Sequence, residues 1–183
     1  MLVKNIVIKV LQFMDNNELV KSINAGDVVT GDEGQEIASY VNYLNLVRNE
    51  IASEYISNVK REKVTVEGGK IDFSRLSEEV IEILSVKDNF GNSLKFDVYE
   101  DHILVDGTTV EVRYNASPRN LNINDEFYST IPERVYAYGI MREHCFVQTL
   151  YEDASVWEER FINSLQALER KKNETVVPRR RWF

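Results

Sequence analysis

The sequence predicts an α+β protein: a helical bundle with an inserted antiparallel β-hairpin unit and an extended C-terminal tail. Three observations carry that prediction. Apolar residues recur at helical spacing up to about Tyr55 and again from Val135 onward. Between these blocks the period drops to two, and the turns carry Gly-Gly, Asn-Phe-Gly and Asp-Gly. Beyond Leu168 the apolar period stops, and Pro178 blocks helix continuation ahead of three arginines. Helices, then strands, then helices are most simply explained if the first and last blocks share one core and the β unit is an insertion. The resulting division is 1–59 for the N-terminal helices, 60–118 for the β unit, 119–172 for a loop and the C-terminal core helices, and 173–183 for the tail.

The first helix is marked by Val3, Ile6, Val7, Val10, Leu11 and Met14. Asn16 or Asn17 is placed to cap a second helix through Leu19, Val20 and Ile23, which Gly26 ends. Thr30 and Glu33 have capping-box spacing, and Ile37, Tyr40, Val41, Leu44, Val47, Ile51 and Tyr55 then hold one face of a long third helix. Three hairpins follow by their turn chemistry. Val64 and Val66 reverse at Gly68-Gly69 into Ile71 and Phe73; the strand over 81–86 reverses near Gly91 into Leu94, Phe96 and Val98; Ile103 and Val105 reverse at Asp106-Gly107 into Val110, Val112 and Tyr114. An Asn-rich loop leads to Thr130 and Glu133, again at capping-box spacing, with Pro132 in the first turn. From there Val135, Tyr136, Tyr138, Ile140, Met141, Cys145, Phe146, Val147, Leu150 and Tyr151 cover most of a helix, which predicts burial with Arg134, Arg142 and Asp153 on a narrow polar edge. Ala154, Trp157, Phe161, Leu165 and Leu168 form one stripe of a final helix, with Glu158, Glu159 and Arg160 opposite.

Composition narrows the function. Hydrophobic residues make up 43% and charged residues 28%, as in a soluble globular protein, and no apolar run reaches the length of a membrane span. Lys4 and Lys9 interrupt the apolar start and no small-residue cleavage site follows, so no secretion signal is expected. Cys145 is the single cysteine, which leaves no disulfide framework or zinc cluster and points to a reducing interior. The net charge of −8 is divided unevenly: 170–183 carries six basic residues against Glu174, +5, leaving −13 for the rest. An acidic body repels a nucleic-acid backbone. In the tail, Arg179, Arg180 and Arg181 precede Trp182 and Phe183, residue types that dominate binding hot spots. These five are the candidate partner-binding residues.

No motif for catalysis, a cofactor or a metal stands up. His144 and Cys145 are helix neighbours about 100° apart, and His102 has no cysteine, serine or second histidine at a diagnostic spacing. Asn120, Asn122 and Asn124 alternate like the start of a calcium loop, but Asp125 and Ile131 occupy the positions of its glycine and glutamate. Gly68-Gly69 lacks the lysine and helix of a phosphate loop, and Glu78-Glu79 and Glu158-Glu159 are solvated neighbours. The sequons at Asn115 and Asn173 mean nothing without secretion. The expectation is a binding or structural protein, not an enzyme.

The stretches "ILSVKDNFGNSLKFDV", "VEVRYNASPRNL" and "STIPERVYAYGIMREHCFVQTLYEDASVWEERFINSLQAL" resemble the head-to-tail connector proteins of tailed bacteriophages, the adaptor or head-completion family with tail tubular protein A-like members. The resemblance spans residues 1–172, and its most specific part is Pro132 opening a helix that holds Tyr138 and Gly139, followed by Trp157 and Phe161 in the next. It implies a structural virion protein at the head–tail junction, assembled in the host bacterial cytoplasm. It implies a homo-oligomeric ring, commonly dodecameric, between the portal protein and a downstream tail or neck protein, with DNA passing through the lumen without sequence-specific binding. On that reading residues 173–183 reach the portal. The alternative is a nucleic-acid-binding or regulatory protein that uses Arg179, Arg180 and Arg181 on phosphate.

Overall fold

A computed structural model describes residues 1–27 and 29–174; the five tail residues assigned to docking, Arg179, Arg180, Arg181, Trp182 and Phe183, lie outside them. The protein is α+β, and the chain divides into two compact units, one of Met1–Val47 with the described residues from Leu121 onward, the other Arg48–Asn120.

In the helical unit, α1 (Val3–Phe13) turns Val3, Ile6, Val7, Val10 and Leu11 inward, all fully buried. α2 (Asn17–Ala25) starts where the Asn16 side chain accepts the Leu19 N–H at 3.3 Å and stops at Gly26, whose φ of +82° is the left-handed cap that glycine adopts without strain. α3 (Gly31–Glu50) buries Ile37, Tyr40, Val41, Leu44 and Val47. The helical face expected to run on through Tyr55 changes hand-hold at Ile51: 51–55 is a π-helical turn closed by the Ile56 N–H on the Ile51 carbonyl at 2.7 Å. The Asn-rich loop is pinned, since the Asn45 amide bonds both the N–H and the C=O of Leu121 at 2.9 and 3.0 Å.

α4 (Glu133–Val147) and α5 (Tyr151–Glu174) complete this unit, with α4 packed on both α1 and α5. Three expectations are corrected here. Pro132 is the N-cap and makes no side-chain cap bond, so the Thr130–Glu133 box does not form; Glu133 instead pairs with Lys9 at 3.0 Å. α4 ends at Val147 and does not continue through Tyr151. Arg142, placed on the polar edge by its charge, is buried: its guanidinium bonds Glu143 at 2.6 Å and Glu158 at 2.8 Å and lies 5.0 Å over the Phe161 ring.

The β unit holds seven strands: β1 (Val59–Thr65), β2 (Lys70–Asp72), β3 (Val80–Asp88), β4 (Ser93–Leu94), β5 (Phe96–Val98), β6 (His102–Val105) and β7 (Thr109–Ala116). They form two antiparallel sheets, ordered β1-β7-β3-β4 and β2-β6-β5. Of the three expected hairpins, the middle one forms only as far as Leu94, opposite Val86; Phe96 and Val98 leave it to pair with Val105 and Ile103 of β6 in the other sheet. The other two do not open into paired strands, although the Gly68-Gly69 turn itself closes, Glu67 and Lys70 exchanging N–H···O=C bonds at 3.1 and 3.0 Å. β1 pairs with β7 and β2 with β6, so Gly68-Gly69 and Asp106-Gly107 mark places where the chain passes from one sheet to the other. The exchange buries both inner faces at once: Ile71 and Ile103 of one sheet and Val86, Val110, Val112 and Tyr114 of the other belong to one core.

Candidate interaction surface at the α4–α5 corner

The corner after α4 is built by backbone bonds. The Leu150 N–H reaches the Cys145 carbonyl at 2.9 Å and the Thr149 N–H reaches Phe146 at 3.1 Å, the two bonds of a Schellman stop. The residue after the C-cap is left-handed in this motif, and here it is Thr149, with φ of +60° where glycine or asparagine is usual. α5 then begins at once, its first turn acidic with Glu152 and Asp153, which suits a helix N-terminus.

This stop turns outward the residues that the helical period had counted as core. Phe146, Val147, Leu150 and Tyr151 are 46, 60, 49 and 64% exposed, and the Phe146 and Tyr151 rings lie 6.3 Å apart on the surface. Four large apolar side chains within six residues form a patch, and contiguous apolar patches on a folded surface mark contacts with other molecules. Glu152 and Asp153, both exposed, border it with negative charge. A second exposed aromatic, Phe90, stands 90% exposed on the β3–β4 turn. The Asp88 carboxylate fixes that turn by accepting from the Phe90 and Asn92 N–H groups, each at 2.8 Å.

The residues weighed for chemistry are occupied structurally. Burial pushes the Cys145 thiol up from its ordinary value, with Asp153 adding to the shift, the opposite of an activated nucleophile. His144 lies edge-on to Tyr40 at 5.5 Å, and burial pushes its imidazole below the ordinary value against a smaller opposing pull from Glu36. His102 stacks on Tyr99 and its Nδ1 is 2.5 Å from Asp101. Asn115 of the sequon is buried, its Oδ1 accepting the Asn58 N–H and its Nδ2 donating to the Ala52 carbonyl, each at 2.7 Å, so its amide is taken up inside the fold.

Each unit also carries a concavity. A cleft of about 540 Å³ in the helical unit is lined by Ile23, Ile37, Val41 and Leu121, with Lys4 and Asp27 at its wall. A depression of about 440 Å³ in the β unit is lined by Asp72, Glu79, Glu100 and Asp101 among others. Among the described residues no group of three or more His, Cys, Asp or Glu side chains is placed to hold a metal ion. The predicted docking residues Arg179 to Phe183 are outside the described chain, whereas the corner patch was missed from sequence because neither glycine nor proline signals the stop. Set against known proteins, the chain matches no family model and no curated sequence.

Proposed function

We propose that this chain is a structural virion protein, a head-to-tail adaptor whose copies form a ring between the portal protein and a downstream tail or neck protein, with DNA passing through the lumen. The observation that carries the reading is the exposed apolar corner. It lies within the same stretch, 129–168, on which the resemblance to connector proteins is strongest, and an apolar surface of this kind is suited to contact with another protein. A ring needs two different complementary surfaces on each copy, and an exposed apolar corner supplies one of them. Charge supports the lumen: residues 1–169 carry −13, the net −8 less the +5 of 170–183, and an acidic wall does not hold a phosphate backbone.

Negative-stain microscopy of the purified protein, alone and mixed with isolated portal, tests the reading. Rings that stack coaxially on the portal are expected. A protein that stays monomeric with portal present, and that instead binds duplex DNA tightly with a steep loss of affinity in salt, belongs to the nucleic-acid-binding reading that the three arginines favour.

A further inference from the structure

We infer that the α4–α5 corner is the receptor for residues 175–183 of a neighbouring copy of the same chain. The two sides match in chemistry. The corner offers Phe146, Val147, Leu150 and Tyr151 beside Glu152 and Asp153; the segment offers Trp182 and Phe183 beside Arg179, Arg180 and Arg181. Aromatic anchors cover the apolar side chains while the guanidinium groups meet the carboxylates, which gives the contact both burial and steering.

Reach decides which copy supplies the segment. Tyr151 and Glu174 stand at the two ends of α5, 23 residues apart and therefore about 35 Å. Trp182 follows Glu174 by eight residues and extends at most about 29 Å from it, before any allowance for reversing direction. Its own Trp182 would stop about 6 Å short of Tyr151, Cα to Cα, even on a fully extended chain doubled straight back along α5, whereas the segment of a neighbouring copy meets no such limit. The link therefore runs from one copy to the next, each giving one segment and receiving another, which is a contact between unlike surfaces. Under the proposed function, on which the ring geometry rests, these links run around the ring, and the arginine–aromatic segment serves the neighbour and not the portal.

Complementation between full-length variants tests this. One variant, Leu150→Asp with Val147→Asp, spoils the corner and keeps the segment; the other, Trp182→Ala with Phe183→Ala, spoils the segment and keeps the corner. Sedimentation velocity should show the unmodified chain associating with concentration, each variant weakened about 30-fold, the size of a hot-spot loss, and the two mixed giving a one-to-one heterodimer through the one intact pair. Circular dichroism melts guard against misfolding, and Tyr151→Ser, at the most exposed of the four positions, replaces the corner variant if it fails to fold. The inference is overturned if the mixture stays monomeric, if either variant associates as the unmodified chain does, or if the segment variant loses only binding to portal. Complementation without rings on the grid would keep the link and sink the adaptor reading; rings without complementation would do the reverse.

Discussion

Gly139→Ala offers a sharp test of how closely α3 and α4 approach. In an exposed helix interior this change stabilises by about 1 kcal/mol, because glycine has more backbone entropy to lose. Here the new methyl would meet Val47 Cγ1 at 2.7 Å and Cγ2 at 2.8 Å, with Phe161 Cε2 at 3.2 Å. Carbon atoms rest at about 3.5–4.0 Å, so the shortfall against Val47 is on the order of 1 Å. Val47 cannot turn aside, since a β-branched side chain in a helix has one strongly preferred rotamer, and both it and Phe161 are fully buried. Relief requires α3 and α4 to part, and overpacking of this kind costs about 1–3 kcal/mol.

Set against the propensity gain, the net expectation is a loss of about 1–2 kcal/mol, read as a lower urea midpoint at unchanged slope. Val47→Ala alone should also destabilise, by about 2 kcal/mol, through lost burial and the space left behind. Combining the two should reverse the sign of the first: with Val47 shortened, Gly139→Ala should be neutral or stabilising, a coupling of at least about 1 kcal/mol. If Gly139→Ala stabilises the unmodified chain, the two helices do not meet at these residues and the packing described for this unit is wrong.

Asn115→Ala should cost about 2–3 kcal/mol, because it strands the Asn58 N–H and the Ala52 carbonyl; urea melts in which Asn115→Ala is silent would show those groups satisfied otherwise. Arg142→Ala should cost about 2 kcal/mol, discounted because Glu143 and Glu158 remain 25 and 34% exposed, whereas Arg142→Met should recover most of that by keeping the cover over Phe161; equal losses would place the value in the charge. Burial raises the Glu62 carboxyl, but hydrogen bonds from Ser77 and Tyr114 outweigh it and hold the group below its ordinary 4.5. The unfolded chain therefore binds the proton first, so this stabilisation is complete above about pH 4.5 and is lost as pH falls through the lower folded value. Amide exchange of β7 should show that acid sensitivity, and Glu62→Gln should flatten it; an unchanged profile would exclude Glu62 as its source.

The helices before Tyr55 were legible because each carries its own signals: a side-chain cap at Asn16, a glycine stop at Gly26 and an unbroken apolar face on α3. Strand positions were legible for the same reason, as alternation is local. Partners were not, because a Gly-Gly or Asp-Gly pair fixes where the chain bends and leaves open which strand becomes its neighbour; burying both faces of a small unit required β1 and β7, and β2 and β6, to pair across the sequence. Arg142 escaped because a charged residue is read as exposed until Glu143 and Glu158 are seen to flank it. The corner escaped for another reason: a helical period carried through residues 146–151 continues on paper whether or not the backbone does.

Two departures from monomer stability coincide at that corner. Thr149 holds a left-handed conformation that costs a residue with a Cβ roughly 1–2 kcal/mol and that glycine would adopt freely. Directly around it, four large apolar side chains stand half or more in water or close to it. Either alone is unremarkable on a surface. Together they break the local rules of turn chemistry and of patterning at one place, and such breaks concentrate where a protein does something other than fold. The strain also has a geometric result, since the stop it enforces brings Phe146 at the end of α4 alongside Tyr151 at the start of α5. A continued helix would have set the two about 140° apart around its axis, on different faces. The bend that is costly for the single chain is thus the same bend that assembles the patch, which is the relation expected if the apolar surface is covered when copies meet.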